Sequence, residues 1–132
     1  MSDQQALLFA NAAFYAAFAA RDLNAMAAIW SSQAPISCIH PGWVAVVGRE
    51  AVMASWQAIL GNPAAPRITC HNATARSFEA LGYVLCYEVL QGGILVATNI
   101  FVRELKTWKM LHHHAGHSQT PAHLDEEVHA LQ

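Results

Sequence analysis

Charge is scarce in this chain. Of its 132 residues only 7 are Lys or Arg and 9 are Asp or Glu, so charged side chains make up 12%, against about 25% in ordinary globular domains. The few cations form no basic stripe, and the net charge is -2. A surface of that kind does not track a phosphate backbone, which argues against nucleic acid as a partner. An apolar fraction of 55% with so little charge cannot cover a monomer well. It predicts that an apolar sheet face is buried against a second copy, as in a homodimer. Cysteine is also scarce. Cys38, Cys70 and Cys86 are odd in number and far apart, which excludes a disulfide framework and a thiolate zinc site and leaves buried thiols in a reducing compartment. No apolar run reaches the ~18 residues that would span a bilayer, and the N-terminus lacks the basic region and cleavage site of a signal peptide. The expected location is cytoplasmic, with no membrane contact.

What is present reads as one domain over residues 1–117, followed by a polar tail, 118–132. Residues 3–20 space Leu7, Leu8, Asn11, Phe14, Tyr15 and Phe18 among alanines, one apolar face of a helix with Ser2 or Asp3 as its cap. Asp22 caps a second helix through Leu23, Met26 and Trp30. Ala34 to His40 reads as a short strand, turned by Pro41-Gly42 into a mate over Trp43–Val47. Gly48-Arg49-Glu50 opens a third helix over Ala51–Leu60, stopped by Gly61-Asn62-Pro63. Three long strands then follow, Arg67–Glu79, Tyr83–Gln91 and Ile94–Leu105, with turns at Leu81-Gly82 and Gly92-Gly93. Several are apolar on both faces, so both faces should be covered. In the tail, Thr120-Pro121 and Asp125-Glu126-Glu127 have the cap, proline and acidic turn of a short helix, and His117, His123 and His129 read as solvated.

The last strand, Trp108 to Gly116, carries His112, His113 and His114. Strict alternation puts Trp108, Met110, His112 and His114 on one face and Lys109, Leu111 and His113 on the other. That parity places His112 and His114 in a pocket wall and His113 outside, unless a bulge exchanges the faces.

The pieces Phe14-Tyr15-Ala16-Ala17-Phe18 with Asp22, Ile39-His40-Pro41-Gly42-Trp43, Asn99-Ile100-Phe101-Val102-Arg103 and the closing Trp108-to-Gly116 motif occur in an order that resembles the SnoaL-like branch of the nuclear-transport-factor-two-like superfamily, over roughly residues 5 to 117. The resemblance implies an α+β fold, a cone in which a curved antiparallel or mixed sheet wraps around three helices in a cystatin-like α+β roll. It also implies an open-ended cavity and a homodimer through the outer sheet face. Relatives include isomerases, cyclases, hydrolases, dehydratases and non-catalytic association domains, so fold alone does not assign function.

Enzymes of this kind move protons with a cavity carboxylate or histidine. The aspartate of the isomerase branch has no counterpart here. Glu88 is the one mid-strand acid, readable as an inward base or as a charge at an interface or sheet edge. His40, His112 and His114 are the expected acid–base residues, with Tyr15, Trp43, Trp56, Asn99, Phe101 and Arg103 lining the pocket of an apolar, polyketide-like or steroid-like ligand. Each histidine alone could simply bond a backbone or hydroxyl partner. His112-x-His114 with His40 could form a three-nitrogen metal site, but no fourth ligand is evident, and neither a metal nor another cofactor is expected. Cys38 shares the face of His40, as a nucleophile pair or as an inert buried thiol. The leading expectation is a small-molecule protein acting as a lyase, isomerase or hydrolase; the alternative is a non-catalytic ligand-binding or dimeric association module.

Overall fold

A computed structural model describes residues 1–126. Three helices come first or between short strands: α1 (Asp3–Ala20), α2 (Leu23–Ile29) and α3 (Arg49–Leu60). The strands are β1 (Ser37–Ile39), β2 (Val46–Val47), β3 (Thr69–Phe78), β4 (Leu81–Leu90), β5 (Gly93–Glu104) and β6 (Thr107–His117). Local signals set the helix starts. Ser2 and Gln5 form a capping box on α1, and Asp22 accepts from the Ala25 N–H at the head of α2, each satisfying donors that the first turn leaves free.

The strands form one mixed sheet in the order β2-β1-β6-β5-β4-β3. β3 to β6 are the expected antiparallel meander, and β1 adds on parallel to β6. The curved sheet wraps around the helices, giving a cone-shaped α+β fold. The core between them is built from fully buried Leu7, Phe14, Met26, Trp30, Val52, Trp56, Val84, Phe101 and Met110.

Two bulges shape the sheet. In β3, Asn72 takes a left-handed backbone (φ 56) where the register with β4 shifts between His71 and Thr74. In β6, Ile100 pairs with His112 but Phe101 pairs with Met110, so Leu111 is an extra residue without an opposite number. A residue inserted this way bends the strand and exchanges its faces beyond that point.

The β3–β4 turn differs from expectation. It lies at Glu79-Ala80, with Glu79 left-handed at φ 55, while Leu81 and Gly82 belong to β4. Gly82 serves packing: a Cβ there would lie 2.6 Å from Leu7 Cδ1, so its absence lets α1 sit close on the sheet. The tail also departs from expectation. Residues 118–126 contain no helix; they run back to the β3 bulge, where Asn72 N–H donates to Asp125 Oδ1 (2.8 Å), Asn72 Nδ2 donates to the His123 carbonyl (2.7 Å) and Asp125 N–H donates to Asn72 Oδ1 (2.8 Å). Residues 127–132, which include Glu127 of the expected short helix and His129, lie outside the described residues.

Candidate functional site

The β6 bulge decides which histidine faces inward. Met110 points in before it, and His113 and Ala115 point in after it; His112 is half-buried and His114 exposed. The facing expected from unbroken alternation is therefore corrected: His113 is inside, and His112 and His114 are on the outer face. There His112 Nδ1 lies 2.7 Å from Ser37 Oγ, and the two outer rings are 6.3 Å apart. His40 is on the inner side, so the three cannot converge on one metal. Among the described residues no group of three His, Cys, Asp or Glu side chains is arranged to hold a metal ion.

His113 and His40 share a cavity of about 260 Å3 between the helices and the sheet. Phe14, Phe18 and Trp56 wall it from the helices, Trp43 from the segment between β1 and β2, and Ile68, Leu90 and Leu95 from the sheet side. Its polar groups are His40, Glu88, His113 and, at the exposed rim, His117. Glu88 takes the inward alternative and is 3% exposed.

A hydrogen-bond chain behind the cavity fixes the proton positions. Tyr15 donates to Glu88 Oε2 (2.6 Å), and Asn99 Nδ2 donates to Asn11 Oδ1 (2.8 Å) and Tyr15 OH (3.2 Å). Asn99 Oδ1 can only accept, so the proton in its 2.5 Å bond to His113 sits on Nδ1. Nε2 of His113 is then a bare lone pair, 3.8 Å from Glu88 Oε2. Similarly, Ser55 Oγ donates to the Val52 carbonyl (2.7 Å), so His40 Nε2 donates to Ser55 (2.9 Å).

Burial disfavours the charged form of both members of the facing pair. It raises Glu88 to about 7, opposed by the Tyr15 hydrogen bond. It lowers His113 to about 3, helped by repulsion from His40, His112 and His114, and lowers His40 to about 4. Thus the 3.8 Å contact is no ion pair near neutral pH. A carboxyl group able to release a proton faces an imidazole able to accept one, which is the arrangement of an acid–base pair. Tyr15, behind Glu88, is raised well above its ordinary value by burial and then by the Glu88 charge, so it remains a donor. Cys38, 3.5 Å from His40 Nε2, is pushed up to about 12 by burial and then by Glu88; it stays a thiol, which favours the inert reading over a nucleophile.

Of the other expected pocket residues, Trp43 and Trp56 line the cavity. The indole N–H of Trp56 has no acceptor among the described residues. Tyr15 and Asn99 stand behind the wall. Phe101 is wholly buried in the core. Arg103 is at the far end of β5, paired with Asp3 and stacked 4.7 Å over Trp108. Sequence reasoning missed His113 as the inward histidine because nothing in Met110-Leu111-His112 marks a bulge; there is no glycine there.

A family model described as a SnoaL-like domain matches residues 8–118, and the chain belongs to that family, within the NTF2-like superfamily. It is similar to a proposed dehydratase of the NTF2-like family from Streptomyces avermitilis, 28% identical with a TM-score of 0.81, covering 89% of this chain and 97% of that one. It is also similar to the proposed association domain of a calcium/calmodulin-dependent protein kinase type II from Thiobacillus denitrificans, 33% identical with a TM-score of 0.74, covering 83% and 93%. A curated relative, the F-box protein SKIP8 of Arabidopsis thaliana, is 27% identical over 114 residues, 85% of this chain; the chain spans about half (49%) of that protein's length. No described helix is long and apolar enough to cross a membrane.

Proposed function

We propose that this SnoaL-like chain binds an apolar small molecule in the inner cavity and moves a proton on it, as a lyase or isomerase, with His113 as base and Glu88 as acid. The observation that carries this reading is the buried Glu88–His113 pair 3.8 Å apart in the cavity, each partner anchored from behind by Tyr15 or Asn99. In a dehydration, His113 Nε2 would take a proton from carbon while Glu88 protonates the departing hydroxyl; the C–H and C–O bonds break, a C=C bond forms and water leaves. Both groups lie on one side of the ligand, which suits a syn elimination or a 1,3 proton shift. Similarity to a proposed dehydratase supports the same class. His40, held neutral against Ser55, is a second polar contact for the ligand.

The test is a screen of uncharged aromatic and alicyclic β-hydroxy ketones, followed by mass spectrometry for loss of water and by NMR for deuterium uptake next to the carbonyl. Glu88→Gln and His113→Gln should each lower the rate at least about 100-fold. A substrate turned over equally well by both variants would overturn the assignment.

The outer sheet face supports a second element of the reading, a homodimer. Phe78, Leu81, Tyr83, Leu85 and Val96 are exposed there, and similarity to a kinase association domain agrees with an assembling surface. Sedimentation of Leu85→Lys beside the native chain tests it: the dimer reading requires the native chain to be larger than the variant. The three free, buried thiols fit a reducing, cytoplasmic setting.

A further inference from the structure

A second cavity, of about 290 Å3, adjoins the first. Phe18, Ile59 and Pro66 line both, and all three are at least partly exposed, so the two compartments meet at a rim and not through packed core. Their chemistry is opposite. No Lys or Arg is among the lining residues of the inner cavity. The outer one is lined by Arg21 and Arg67 and by no acid.

Local structure puts both guanidinium groups there. Arg21 ends α1 in a left-handed conformation (φ 53), which turns its side chain across to the end of α3. Its Nη1 donates to the carbonyls of Leu60 (3.3 Å) and Asn62 (2.7 Å), and its Nη2 to that of Ala65 (3.0 Å). Arg67 leads into β3, is exposed, and has no side-chain acceptor partner among the described residues. The C-terminal ends of α1 and α3 both point here. Each contributes roughly half a negative charge, so two guanidinium groups leave a surplus of about one positive charge. With three of its donors used on carbonyls, Arg21 acts as a fixed charge, and Arg67 keeps its donors for a bidentate partner.

We infer that the outer cavity is an anion subsite and that the ligand is amphiphilic: an apolar, uncharged body in the inner cavity against Glu88 and His113, and a carboxylate or phosphate end held by Arg67 beside Arg21. This rests on the inner cavity being the ligand site. It narrows the substrate class to apolar acids or phosphate monoesters whose charge is remote from the reacting carbon.

Quenching of tryptophan fluorescence provides the test, since Trp43 and Trp56 line the inner cavity. The probes are ω-phenyl carboxylates of increasing chain length, their primary amides, and the phosphate monoesters of the matching ω-phenyl alcohols. At the length that spans the rim, the acid or the phosphate should bind about tenfold more tightly than the amide, and the stronger of the two identifies the anionic group. Arg67→Gln should reduce that affinity to the amide's, and added salt should do the same in part. Equal binding of acid, phosphate and amide at every length overturns the anion subsite and leaves the inner cavity standing. An anion preference that survives Arg67→Gln also overturns it. Failure of all three series to bind overturns both the subsite and the cavity reading.

Discussion

The two faces of β6 carry the same side chain in different surroundings. On the inner face His113 is 3% exposed, ringed by Phe14 at 4.9 Å and Trp56 at 6.0 Å, and held by Asn99. On the outer face His112 meets a serine hydroxyl, and its neighbour His114 is open to solvent. One residue of displacement separates a histidine held neutral down to about pH 3 from one near the surface. What distinguishes them is the extra residue Leu111, which rotates the strand between Met110 and His112. Burial and a fixed tautomer, and not the number of histidines, set where acid–base chemistry is available.

The largest effect that could break this contrast is on turnover. With a substrate from the screen, His113→Gln should lower kcat/KM about 100-fold or more, and His112→Gln and His114→Gln should leave it within twofold; steady-state kinetics decides, and a reversed ranking would sink the inward assignment. Stability should divide the faces in the same way. Phe101→Ala, on the inner face of β5, should cost about 3–5 kcal/mol, while Leu85→Ala, 43% exposed on the outer face, should cost less than about 0.5 kcal/mol in the monomer by urea unfolding.

Acidity separates the groups further. His113 and His40 titrate near 3 and 4 when folded, against 6.5 ordinarily, so the folded chain binds fewer protons than the unfolded one in that range. Their contribution is complete above about pH 6.5 and falls as pH drops toward 3. Glu88, raised from 4.5 to about 7, has the opposite sign: its contribution is present below pH 4.5 and is lost as pH rises through about 7. Two histidines against one acid make Tm rise from pH 4.5 to 6.5, and His113→Gln should flatten that slope. The same Glu88 value gives kcat/KM a falling limb near pH 7, which Glu88→Gln should abolish along with most of the rate. The smallest effect comes from removing Leu111. Deleting it joins Met110 to His112 in regular register without changing which residues face inward, so His113 should keep its depressed pKa by NMR; a His113 that titrates normally would show that the bulge does not set the facing.

Much of the fold was legible because its signals are local. Ser2 and Asp22 announce helix starts, Gly92 with φ 85 makes a turn, and the apolar alternation of β4 and β5 survives in the burial pattern. The site was legible only in part. His40, Trp43 and Trp56 follow from the turn and helix that carry them, and Glu88 from its mid-strand position, although its facing stayed open. His113 was out of reach, since a bulge at a leucine leaves no composition cue. Gly82 misled for a related reason: a glycine demanded by the approach of Leu7 looks, in sequence, like a glycine demanded by a turn.

The clip between Asn72 and the 123–125 segment has a consequence for how copies of this chain can assemble. β3 is one border of the sheet, and β2, the other, is two residues long. An open border of unpaired amides would recruit a further strand and propagate into fibres. Here the bulge interrupts one border and the tail occupies its freed N–H, while the other is too short to template a neighbour. Strand addition is thus hindered at Asn72 on one border and by the shortness of β2 on the other, so the sheet carries a built-in guard against open-ended growth at its borders.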